Sequence, residues 1–157
     1  MRKMGSVALI AVLLSTSTVM AAVRGNSVMY VGGTYSEIPD KTKGKLDLSD
    51  PQVAVFESKK GRFEVPYAGI GSLEYGQKAG RRVGVALAVS PLALFSKKRK
   101  HYLSISFVDQ QGNKHGVVLE IGKRKVHGVV AVLEQRSGKR MEFESEEARK
   151  HFEKEAK

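Results

Sequence analysis

Chemistry in this chain would have to be built from four histidines, a run of acids and a few glycine pairs, because it has no cysteine. That absence excludes a thiol nucleophile, a disulfide framework, an iron–sulfur cluster, a cysteine-ligated zinc and a lipidated-cysteine anchor. The histidines are His101, His115, His127 and His151. His101 and His115 flank an expected hairpin, where two imidazoles can approach one another. No paired carboxylate or third ligand lies near them in sequence, so they read as ordinary surface histidines. Glu142, Glu144, Glu146 and Glu147 form an acidic cluster. The start of a helix accounts for at least the last two, since carboxylates are favoured at its positive end. Gly32-Gly33 and Gly69-Ile70-Gly71 open no strand-to-helix phosphate loop, and no serine sits in a G-x-S-x-G elbow. The residues point to no catalytic group, no metal and no cofactor. The expectation is a protein that binds.

The strongest constellation is KAGRRVGVALAVSPLALFSKKRK, residues 78–100. Thirteen residues, 83–95, carry no charge, and basic clusters flank both ends: Lys78, Arg81 and Arg82 before, Lys97, Lys98, Arg99 and Lys100 after. No Asp or Glu occurs from Tyr75 to Val108. The apolar run is too short to cross a bilayer as a helix, at about 20 Å against about 30 Å of hydrocarbon. Ser90-Pro91 breaks it near the middle. An uncharged connection of this length is unusual, because connections run over a wet surface. Three readings are open. The run folds back into the core; its tip, with Leu92, Leu94 and Phe95, enters a membrane interface while the flanking cations meet anionic headgroups; or a protein partner covers it. Nucleic acid is not expected as a partner, since aromatic residues do not interleave with the cations as a stacking platform requires. The candidate membrane- or ligand-binding residues are therefore Lys78, Arg81, Arg82, Leu92, Leu94, Phe95, Lys97, Lys98, Arg99 and Lys100. The expected partner is an anionic lipid surface or an envelope protein.

The compartment comes from the first 22 residues. Met1-Arg2-Lys3 is a short basic region, residues 7–14 are apolar, and Val19-Met20-Ala21-Ala22 offers small residues for a signal peptidase. This predicts a cleaved signal peptide and an exported protein, periplasmic or envelope-associated. Removing residues 1–22 takes away two cations and no acid, which lowers the net charge from +11 to +9. The seven cations of residues 78–100 supply most of it, so the basicity is local.

The elements that must position this loop are short. Strands are predicted over 27–31, 45–49, 53–57, 62–65 and 70–75, with residues 34–45 as a loop. Pro66 ends its strand or sits at a sheet edge. The clearest strand is HYLSISFV at 101–108, with Leu103, Ile105 and Phe107 on one face. A hairpin loop at 109–114 returns to Val117, Leu119 and Ile121. Strands joined this closely are antiparallel. The period then changes: Val126, Val129, Val130 and Leu133 predict one amphipathic helix, stopped at Gly138. A short strand at 141–143 and a last helix capped by Ser145 follow. The tail from 145 onward has few apolar residues and is expected to be exposed and frayed.

About seven short strands followed by one helix describe a small antiparallel barrel or sandwich, spanning residues 23–144, with its open end plugged by the helix. The layout resembles the pleckstrin-homology-like superfold, and especially its GRAM-type relatives among bacterial exported proteins. The resemblance rests on YVGGTYSEIP at 30–39, VFESKKGRFEVPYAGIGSLEYG at 55–76, KKRKHYLSISFVDQQG at 97–112 and KVHGVVAVLEQRSGK at 125–139. It implies a non-enzymatic binding or scaffolding module and names no ligand.

Overall fold

The computed structural model describes residues 25–77 and 100–155. Four strands come first: β1 (Asn26–Gly33), β2 (Thr42–Asp47), β3 (Val53–Ser58) and β4 (Gly61–Pro66). A single 3-10 turn, Tyr67–Gly69, leads into β5 (Ile70–Gly76). After β6 (His101–Val108) and β7 (Lys114–Ile121) come helix α1 (Lys123–Ser137), the short β8 (Met141–Phe143) and helix α2 (Glu146–Glu155). The strands form one sheet in the order β4-β3-β2-β1-β7-β6-β5-β8. Every pairing is antiparallel except β8 on β5, which is parallel. The protein is mainly β, with β4 and β8 as the sheet edges.

The turns follow from their residues. Ser58 closes the two-residue β3–β4 hairpin: its Oγ accepts the Lys60 and Gly61 N–H groups, both at 3.1 Å. In the β2–β3 turn, Asp47 and Asp50 side chains accept backbone N–H groups two residues on, as aspartates in turns do. β1 and β7 pair across most of the chain, with a bulge between Tyr30 and Gly32. They approach so closely at Gly33 that a Cβ there would strike the Gly116 carbonyl. Pro66 ends an edge strand, where its missing N–H breaks no ladder.

The core lies on one face of the sheet. Leu46, Phe56, Val65, Leu73, Leu103, Ile105, Leu119 and Val117 are buried there with α1 against them. The helix buries Val126, Val129, Val130 and Leu133, the spacing seen in the sequence, and Val132 as well. Gly138 ends it in the left-handed conformation, its N–H donating to the Glu134 carbonyl. Arg136 pins the last turn of α1 to the β2–β3 turn: its guanidinium donates to the carbonyls of Leu48 and Asp50 and to the Tyr67 hydroxyl.

Several expectations need correction. The loop after β1 ends at Lys41, and β2 starts three residues earlier than the alternation of Leu46 and Leu48 suggests. The eight strands and two helices expected from the sequence are present among the described residues, but the sheet is mixed rather than wholly antiparallel, because β8 runs parallel to β5. The tail from 145 is not an exposed, frayed end. Ser145 Oγ caps α2 by accepting the Ala148 N–H, Ala148 is buried, and Phe152 packs on the core. One small and one aromatic residue, four apart on one helix face, suffice to dock it.

Candidate functional site at one end of the sheet

β5 ends at Gly76 and β6 begins at His101. Gly76 is paired with Tyr102, and Tyr75 with Leu103. The chain therefore leaves the sheet and re-enters it at neighbouring rungs, within about 5.5 Å across an antiparallel pair. Lys78, Arg81, Arg82, Leu92, Leu94, Phe95, Lys97, Lys98 and Arg99 lie outside the described residues. Of the ten candidates, Lys100 is described. Its Nζ is 2.8 Å from Glu120 Oε2, with both side chains partly exposed. The Glu120 carboxylate, by accepting this hydrogen bond, raises the Lys100 pKa and holds it charged. Lys100 thus has a carboxylate partner that an external anion would have to displace. At the other end of the connection, the Gln77 N–H donates to Glu144 Oε2 at 3.2 Å.

The floor of this end is aromatic. The Tyr75 hydroxyl and His101 Nδ1 are 2.7 Å apart and buried. The His101 and His151 rings lie 5.5 Å apart, and Phe152 sits edge-on to Tyr75 at 4.9 Å and against His127 at 4.0 Å. Three of the four histidines are thus structural neighbours at one end. His101 and His115 do not approach one another: His101 pairs with Ile121 at the open end of the β6–β7 hairpin and His115 with Phe107 near its turn. Beside His101, a cleft of about 290 Å³ is lined by Lys100, Glu120, Gly122, Lys123 and His151.

Three further cations gather here. Lys123, Arg124 and Lys125 fill the first turn of α1, all exposed, with no acid among them and no side-chain cap at Gly122. Cations are disfavoured at this positive end of the helix. This Lys-Arg-Lys run does not stand out in the sequence. Its signal was its place directly after a strand, but only the His101–Ile121 pairing shows that it belongs to the same end as Lys100.

The fourth histidine makes a second constellation. His115 Nε2 is 2.9 Å from Asp109 Oδ2, and His115 Nδ1 is 3.0 Å from Thr34 Oγ1. With Nε2–H donating to the carboxylate, Nδ1 accepts from the hydroxyl. This corrects the expectation of a surface histidine with no carboxylate nearby. The ring is half-buried and stacks between Tyr35, at 4.8 Å, and Phe107, at 5.3 Å. A hydroxyl–imidazole–carboxylate row suggests nucleophilic chemistry. Yet Thr34 Oγ1 faces the backbone, accepting the Gly116 N–H at 3.3 Å, and does not line the adjoining cleft of about 390 Å³. The row ties the β1–β2 loop to the β6–β7 turn. Burial pushes the Tyr35 hydroxyl up to about 12, with Asp109 and Glu37 adding to it. Two acids of the 142–147 cluster have partners elsewhere: Glu144 accepts the Gln77 N–H, 67 residues away in sequence, and Glu146 lies 3.6 Å from Arg149 on its own helix. Among the described residues, no group of three His, Asp or Glu side chains is placed to hold a metal ion. Among the same residues, no helix is long and apolar enough to cross a membrane.

No protein-family model matches the chain, and no curated protein matches it.

Proposed function

We propose that the chain is an exported, non-enzymatic binding module with a pleckstrin-homology-like layout. It acts at an envelope membrane surface through the basic-flanked loop of residues 78–100. The observation that supports this is the pairing of Gly76 with Tyr102, which brings the two ends of the connection that carries the basic clusters in sequence to one end of the sheet. Lys123, Arg124 and Lys125 add positive charge at that end. Supporting the layout, seven antiparallel strands in the order β4-β3-β2-β1-β7-β6-β5 are followed by α1; the parallel β8 departs from it.

A second reading is a soluble periplasmic protein-interaction domain with residues 83–95 buried. The burial of Val31, Tyr102 and Val118 on the face opposite α1 favours it.

Sedimentation with vesicles separates the two. On the membrane reading, the protein pellets with phosphatidylcholine vesicles containing phosphatidylglycerol and less with phosphatidylcholine alone, and salt weakens the difference. The triple change Lys97→Glu, Lys98→Glu, Arg99→Glu abolishes pelleting at unchanged melting temperature, because exposed charges contribute little to stability. Leu94→Ser and Phe95→Ser lower lipid binding at constant stability if the tip inserts. If the run is buried, they destabilise by about 2–5 kcal/mol. Absence of anionic-lipid pelleting, together with large stability losses in the serine variants, overturns the membrane reading.

A further inference from the structure

The sheet has two faces, and only one of them holds α1, α2 and the loop after β1. On the other face, side chains alternate outward from the same strands: Met29 and Val31 on β1, Val118 and Glu120 on β7, Tyr102 and Ser104 on β6, Glu74 on β5. A sheet with one solvated face carries polar, wet residues there. Here Val31 is 2% exposed, Tyr102 4% and Val118 0%, and they form an apolar cluster of their own with Met29 packed beside it. Ser104 at 4% and Glu74 at 8% are withdrawn from water as well. Neighbours within a pleated sheet do not shield one another to that degree; a layer on top does.

We propose that this outer face is the docking site of residues 83–95 of the same chain. The inference rests on the buried-run reading and gives it a place. Three observations select this occupant. First, the run is tethered at the patch, since Tyr102 belongs to the cluster and pairs with Gly76, the last residue before the connection. Val118 pairs with Ser104, two residues along, about 7 Å from that tether. Second, thirteen uncharged residues, with Val85, Leu87, Leu92, Leu94 and Phe95 among them, match an apolar face in character. Third, the face carries carboxylates, Glu74 and Glu120, and the run is bordered by cations. Lys100, the last residue of the connection, already turns onto this face to meet Glu120 at 2.8 Å. Docking takes the apolar run out of an interface and leaves the flanking cations for an anionic surface.

The chain has no cysteine, so Val118→Cys introduces a single thiol at the patch. Its reaction with a maleimide is compared in the chain with residues 1–22, in the chain without them, and in one whose residues 83–95 are replaced by an equally long Gly/Ser linker. The expected result is labelling slowed at least about 100-fold, relative to the urea-unfolded chain, in the first two, and fast labelling in the third. Fast labelling with the run intact overturns the proposal. So does slow labelling with the linker, protection that needs residues 1–22, or protection that rises with protein concentration and so reports a second copy. If the linker variant does not fold, Val118→Cys is combined in turn with Ala86→Cys, Leu92→Cys and Phe95→Cys and oxidised at low protein concentration. An intrachain disulfide in any of them supports docking, and none in all three overturns it. Should Leu94→Ser and Phe95→Ser destabilise while the Val118→Cys thiol reacts fast, the run is buried elsewhere: the buried-run reading stands and this placement fails.

Discussion

Asp109 organises the turn between β6 and β7 almost alone. Its carboxylate accepts the Asn113 side-chain amide, the His115 ring and the backbone N–H groups of Gln111 and Asn113. The Asn113 amide is the largest cause, and together, against desolvation, these hold the carboxyl well below the usual carboxylate range. A depressed folded pKa contributes stability above the unfolded value near 3.9, and that stability is lost as pH falls through the lower folded value. The Asp109 carboxyl carbon resonance should therefore show the carboxyl's own protonation only below pH 4. A titration centred at pH 4 or higher would contradict the geometry. Asp109→Asn should remove the acid transition and lower the melting temperature. Little of this was legible in sequence. Asp109 and His115 are six residues apart and Thr34 is 81 from His115, so only the β1–β7 pairing brings the three together.

Local elements were the legible part of the fold, and for a physical reason. Alternation over 101–108, the i, i+3, i+4, i+7 valines of α1, Gly138 as its stop and Ser145 as the cap of α2 are all written within a few residues of where they act. What reading the sequence could not supply were contacts across distance. Phe152 looks like one ring in a charged tail until Tyr75, His127 and Phe143 are placed around it. The same holds for Arg136, whose partners lie 69 to 88 residues away. Variants at two positions test the α1 contacts. Val130 is buried against the sheet, so Val130→Asp leaves an unpaired charge there and should cost several kcal/mol. An unchanged melting temperature would mean that this face of the helix bears no load. Arg136→Ala leaves two backbone carbonyls without their donor and should cost about 2–3 kcal/mol in urea denaturation. Arg136→Lys should recover little of this, because all three acceptors are reached from Nη1 and the lysine chain ends one bond short of that atom.

At the scale of the whole molecule, charge and topology act together. The two points where the chain leaves and re-enters the sheet around residues 78–100 share an end with the first turn of α1, because Gly76 pairs with Tyr102 and His101 with Ile121. The candidate site was legible as a composition and not as a place, since the Gly76–Tyr102 pairing joins residues 26 apart that no local turn connects. Export is the condition for an envelope partner: N-terminal sequencing of periplasmic protein should begin at Ala22 or Val23, and recovery of the Met1 form from membranes would count against it. The first turn of α1 offers a sharper test, because fold and function pull there in opposite directions. The first turn of α1 holds Lys123, Arg124 and Lys125 and no acidic residue, and Gly122 supplies no side-chain cap. Reversing them to glutamate should therefore stabilise the protein, by roughly 0.3–1 kcal/mol for each favourable acid. The same reversal should weaken pelleting with phosphatidylglycerol vesicles, since each cation near an anionic surface is worth about 1 kcal/mol. A higher melting temperature with weaker lipid binding is the expected pair of results. Binding that survives the triple reversal unchanged would remove α1 from the surface and confine the contact to residues 78–100.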